Sequence, residues 1–133
     1  MTQKNERIGM KLNRFTVIAF GEYKSEFYGS QEVPISDGYL VSSAYNYIKD
    51  DIPKIDWEKV NTAKISNVTD RTDEVTNLRT TITIEPVAYE GLRDLQAELM
   101  KEVEGRVFFS YVVKLVMFAA LLKKNDLLEK YLK

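Results

Sequence analysis

Val107-Phe-Phe-Ser-Tyr-Val-Val-Lys-Leu-Val-Met-Phe-Ala-Ala-Leu-Leu122 contains only two polar residues, Ser110 and Lys114, in sixteen positions. A helix that is apolar on every side has to be surrounded. Three coverings compete. A membrane is disfavoured, because the run falls short of the ~20 residues needed and Lys114 sits in its middle. The second covering is a single-chain core, supplied by the sheet and the preceding helix. The third is the chain's own domain on one side and a twofold mate on the other. Fully burying one such side chain stabilises by about 1.5–3 kcal/mol. A whole wet face would therefore forfeit several kcal/mol of a typical total of ~5–15. Cyclic dimers are the commonest oligomers. The reading thus favours a homodimer with Phe108, Phe109, Val112, Leu115, Val116 and Phe118 at the interface, and the single-chain core stays as the alternative.

Working outward, Pro86 is a good first helical residue because its missing N–H needs no partner. Ala88, Leu92, Leu95, Leu99 and Val103 then make one apolar stripe. Gly105 breaks that helix, and Leu127, Leu128, Tyr131 and Leu132 add a short amphipathic tail. Upstream, Arg14–Phe20 is rich in β-branched and aromatic residues and closes at Gly21, which reads as a strand. A second strand is expected over Glu26–Val33, ended by Pro34. Leu40, Val41, Ala44, Tyr45 and Ile48 recur at helical spacing, with Ser36 or Asp37 as cap and Pro53 as stop. Trp57 is expected to plug an edge of the core. Lys59–Val68 and Asn77–Ile84 read as two further strands around a loop at 69–75. In the latter, Leu78, Ile82 and Ile84 share one face, while Arg79, Thr81 and Thr83 share the other.

The expected fold class is therefore α+β: a four-stranded antiparallel sheet with one helix, followed by a C-terminal helical hairpin forming a dimer interface. Residues 1–13 are expected to be a flexible basic arm. Residues 14–133 form a single domain, with 14–85 as the sheet and its helix and 86–133 as the helical dimerisation part.

Composition excludes much chemistry. The 133 residues include no cysteine and no histidine, so disulfides, thiol catalysis, His/Cys zinc sites and Ser-His-Asp triads are all ruled out. The six glycines are scattered, without a phosphate-cradling motif. Asp50, Asp51, Asp56 and Glu58 cluster, as do Asp70, Asp73 and Glu74, but neither spacing matches a calcium loop or a nuclease pattern. The expectation is a non-enzyme with no cofactor, no metal and no small-molecule substrate. Met1–Arg14 lacks the apolar core of a signal peptide, which points to an intracellular protein without membrane partners.

Net charge is −1, so the whole molecule offers no cationic field, yet its charge is segregated. Residues 1–24 carry Lys4, Arg7, Lys11, Arg14 and Lys24 against Glu6 and Glu22. Residues 25–58 carry two lysines against seven acids. Nine of the fifteen aromatics lie before residue 58 and interleave with the basic segment. Cations that track phosphates and rings that stack on bases are what a single-strand binder needs. The leading expectation is therefore single-stranded DNA binding through Lys4, Arg7, Lys11, Arg14, Phe20, Tyr23, Lys24, Tyr28, Lys64 and Arg79.

In length, basic arm, sheet-then-helices layout and Lys/Ile/Tyr/Asn-flavoured composition, the chain resembles the small dimeric single-stranded-DNA-binding proteins of crenarchaeal rod-shaped viruses, which lack the OB fold. That resemblance implies a homodimer with a basic groove and phosphate contacts from Lys4, Lys11 and Arg14. Residues 79–122, from Arg79-Thr-Thr-Ile-Thr-Ile-Glu-Pro to Leu122, also resemble ribbon-helix-helix proteins. That likeness implies a regulator of duplex DNA in which Arg79, Thr81 and Thr83 read bases and Ile82 and Ile84 face inward. Against the ribbon-helix-helix pattern, Val107-Phe108-Phe109 replaces a polar turn, and Lys59–Val68 offers the strand a mate within its own chain. A non-enzymatic interaction module, of the kind found among small viral adaptors, is the third reading.

Overall fold

Asn13 marks the first departure from these expectations. Its side-chain Oδ1 accepts from the Thr16 amide and the Thr16 hydroxyl, both at 2.9 Å, and so caps a helix rather than preceding a strand. This helix, α1 (Arg14–Tyr28), ends at Gly29, which takes the left-handed conformation at φ 89° and donates its N–H to the Ser25 carbonyl. The β-branched residues of 14–20 suggested a strand. The buried positions Thr16, Ala19, Phe20 and Tyr23, however, follow the helical repeat. The strand expected over Glu26–Val33 is accordingly the last turn of α1 and the loop after it.

The computed structural model describes residues 5–72, 74–103 and 105–133. In chain order these form β1 (Glu6–Leu12), α1, α2 (Asp37–Ile48), a 3-10 turn at Ile52–Lys54, α3 (Trp57–Asn61), β2 (Leu78–Ile84), α4 (Pro86–Glu102), α5 (Phe109–Lys124) and a final 3-10 turn at Leu128–Tyr131. The class is α+β, but with five helices and one two-stranded antiparallel sheet instead of four strands and one helix. Residues 6–12, expected in a flexible arm, form β1 and pair with β2 within the chain. Residues 1–4 lie outside the described residues.

Lys59–Val68 is not a strand either. Asp56 caps α3 by accepting from the Lys59 amide, Thr69 Oγ1 accepts from the Ile65 amide, and Asn67 sits at φ 66°. A left-handed residue in the middle interrupts any extended run. Ile65 and Val68 are buried nonetheless, which explains the weak alternation. The helix expected after Asp37 is present, with Ser36 Oγ accepting from the Tyr39 amide. Ala88, Leu92, Leu95 and Leu99 of α4 face the core as the stripe implied, whereas Val103 is half exposed at 51%.

The apolar run becomes α5, the central helix. It packs against α1, α2, α3, α4, β1 and the final turn. Val112, Leu115 and Val116 are 0% exposed and Phe118 is 1%, so the chain itself fills the face expected to meet a partner. Part of that cover is α1, whose residues 14–20 look like a strand in the sequence. Of the expected interface, Phe108 alone is well exposed, with the Arg106 guanidinium 4.9 Å from its ring centre, and Phe109 is half-buried. At its far end Lys123 Nζ donates to Asp51 Oδ2 and to the Tyr47 carbonyl, both at 2.8 Å, tying α5 to the end of α2. Among the described residues no helix is long and apolar enough to cross a membrane.

Candidate nucleic-acid interface

The two strands alternate in step. Met10 and Leu12 of β1 and Ile82 and Ile84 of β2 are buried against the helices. Arg7, Gly9 and Lys11 on one strand and Arg79, Thr81 and Thr83 on the other are exposed. The register sets Arg7 opposite Thr83, Gly9 opposite Thr81 and Lys11 opposite Arg79. Directly opposed side chains in an antiparallel pair lie about 4.5–5.5 Å apart at Cβ, and like charges there are destabilising. Among the described residues no acidic side chain pairs with Arg7, Lys11 or Arg79. The ribbon thus carries three uncompensated cations on one face.

Gly9 lies at the centre of that face. A strand interior disfavours glycine, and such a residue often marks a place where a ligand or another backbone approaches closely. Its backbone is not in the left-handed region, and a Cβ built there meets nothing within 4 Å. The fold therefore does not require glycine at this position. At the other end of the ribbon, α2 is seated by Gly38, where an added Cβ would collide with the Thr83 carbonyl oxygen. The next residue, Tyr39, is 58% exposed.

The remaining expected contact residues are dispersed. Lys4 lies outside the described residues. Arg14 is half-buried, donates from Nη2 to the Arg71 carbonyl at 2.9 Å and sits 5.7 Å from the Phe15 ring centre. Phe20 and Tyr23 are buried, at 5% and 0% exposure, and offer no ring to a base. The Tyr23 hydroxyl hydrogen-bonds with Ser43 Oγ at 2.7 Å, and burial pushes its pKa up to about 12. Tyr28 is half-buried and reaches the same hydroxyl at 3.3 Å. Lys24 is half-buried near Asp37, whose carboxyl is shifted upward by burial and partly held down by that lysine. Lys64 is exposed beside a separate cleft. In the first acidic cluster Asp51 holds Lys123 and Asp56 caps α3, and Asp73 of the second lies outside the described residues. Among the described residues no three acidic side chains group so as to hold a metal ion.

Sequence reasoning named Arg7, Lys11 and Arg79, as well as Thr81 and Thr83, but not Gly9 and not the pairing that unites them. The signal was present: Ile8, Met10 and Leu12 alternate with Arg7, Gly9 and Lys11 at the period of a strand. Compared with known proteins, the chain matches no family model, no curated protein and no solved structure.

Proposed function

We propose that the protein binds nucleic acid through the outer face of the β1–β2 ribbon, with duplex DNA as the preferred partner. The observation that carries this is the opposed Lys11–Arg79 pair, extended by Arg7, with no acid paired to these cations among the described residues. Repulsion between like charges is relieved when an anion lies across them, and a phosphate backbone supplies anions at regular spacing. A two-stranded ribbon fits the ~12 Å-wide major groove. Seven residues at about 3.3 Å each give a ribbon of ~23 Å, shorter than one duplex turn of ~34 Å. In this reading Arg7, Lys11 and Arg79 meet phosphates or guanine edges, Thr81 and Thr83 meet base edges, and Gly9 keeps the centre flat.

Single-strand binding is the second reading, and Tyr39 favours it as an exposed ring next to the residue that touches Thr83. It loses Phe20 and Tyr23, which are buried, and Tyr28 is half-buried.

Fluorescence anisotropy with a matched duplex and single strand tests both. Three phosphate contacts give a salt slope near −2.7, hence about 40-fold weaker duplex binding at 200 than at 50 mM salt. Arg79→Ala is expected to weaken duplex binding and reduce that slope by about one if it contacts phosphate. Tighter single-strand binding that is lost in Tyr39→Ala would install the second reading. Absence of binding to either would end both.

A further inference from the structure

Lys114 is the one charged residue of the apolar run, and α5 does not carry it to an end where its ammonium would reach open water. It is half-buried in the wall of a cleft of about 530 Å³ between the start of α1, α5 and the segment 61–70. Its Nζ donates to Asn61 Oδ1 at 2.9 Å and lies 5.2 Å and 6.0 Å from the ring centres of Phe118 and Tyr111. An ammonium has three donors and no acceptor, and among the described residues no carboxylate pairs with this one. Burial alone draws its pKa below the usual lysine value. The charge is therefore held at a cost that a methionine of similar reach would avoid.

The cleft is shaped to make use of that charge. Phe15, 36% exposed, gives it an open apolar surface, and Phe118, 1% exposed, closes its floor. Lys64 adds a second cation, and among the described residues Asp70 is the one acid in the lining. The volume falls in the range of small-molecule sites, which combine apolar walls with a few placed polar groups. We infer that this cleft binds a small organic anion, its carboxylate or phosphate head on Lys114 and its flat apolar body against Phe15. The site is separate from the ribbon face, and the inference does not depend on nucleic-acid binding.

Sodium benzoate and neutral benzamide, titrated into the full chain at matched ionic strength, test it by calorimetry and by thermal shift. Benzoate is expected to bind at least about tenfold more tightly than benzamide. Lys114→Met is expected to abolish that preference while leaving the protein at least as heat-resistant as the parent. Should Lys114→Met fail to fold, Lys114→Gln retains a hydrogen-bonding end for Asn61 and serves in its place. No benzoate binding at millimolar concentration, equal affinity for benzamide, or undiminished benzoate binding in the folded variant would each overturn the assignment.

Discussion

Gly38 carries a position where α2 can sit against β2 only because no side chain intervenes. A Cβ added there falls inside the Thr83 carbonyl oxygen and 2.7 Å from the carbonyl carbon, whereas ordinary contact begins at 3.4 Å. In Gly38→Ala, α2 and β2 therefore have to separate by at least roughly 0.7 Å, and by more at the oxygen. A gap of ~0.5–1 Å already forfeits a quarter to a half of the dispersion attraction across a contact. Overpacking of this kind costs about 1–3 kcal/mol, and the upper end applies because the obstacle is backbone rather than a mobile side chain. Replacing glycine by alanine in a helix returns up to about 1 kcal/mol. The net is a loss of about 2 kcal/mol, or a fall in Tm of about 8 °C for a chain of this size. Gly9→Ala is the internal control. It makes the same chemical change with no atom within 4 Å, and is expected to stabilise by about 0.5–1 kcal/mol. Differential scanning calorimetry of the two variants beside the parent reads both effects. A Gly38→Ala protein as stable as the parent would refute the seating of α2 on β2, and with it the placement of Tyr39 beside the ribbon.

Three further outcomes follow from the core. Tyr23→Phe removes the buried hydrogen bond to Ser43 and is expected to cost about 1 kcal/mol in chemical denaturation, with DNA affinity unchanged because the ring is not a stacking platform. Glu22 is buried, and its carboxyl is shifted above its ordinary pKa by burial first and by neighbouring Glu26 second. The folded state thus holds this proton more tightly than the unfolded chain, and ionising Glu22 destabilises the fold at neutral pH. Glu22→Gln is therefore expected to stabilise at pH 7, by a margin that shrinks to nothing as pH falls past 4.5; urea titrations across that range check it. Leu115→Ala, at a position with 0% exposure, is expected to cost about 2–5 kcal/mol, with a denaturation midpoint that does not change with protein concentration. A concentration-dependent midpoint would return this face of α5 to a subunit interface.

Much of the fold was legible where a single period ran long enough. The α2 and α4 stripes and the alternation of β2 emerge as elements with the expected faces inward, except that Leu78 and Val103 at their ends are exposed. Failures came where a short window hid the longer period. Seven residues from Arg14 look β-branched and aromatic, but the helix is declared by Asn13 at one end, Gly29 at the other and the 16-19-20-23 spacing between them. The partner of β2 was missed for a different reason. A strand of seven residues at the chain's start, with glycine in its centre, has little propensity of its own and forms because β2 offers a pairing edge and the core accepts Met10 and Leu12. The cationic site depended on that pairing. Arg7, Lys11 and Arg79 were each identifiable, yet only the register brings 11 and 79 face to face. The apolar excess of Val107–Leu122 is real, and the chain covers it with α2 and α4, which the sequence shows as helices, and with α1, whose first seven residues look like a strand.

The most direct test of the ribbon as a nucleic-acid interface is an amide NMR titration of the whole protein with a short DNA duplex at low salt. Shift changes are expected at Arg7, Gly9 and Lys11 and at Arg79, Thr81 and Thr83, reversed by added salt, with the amides in the middle of α5 unmoved. Changes centred on any other surface, or none at duplex concentrations well above that of the protein, would contradict it.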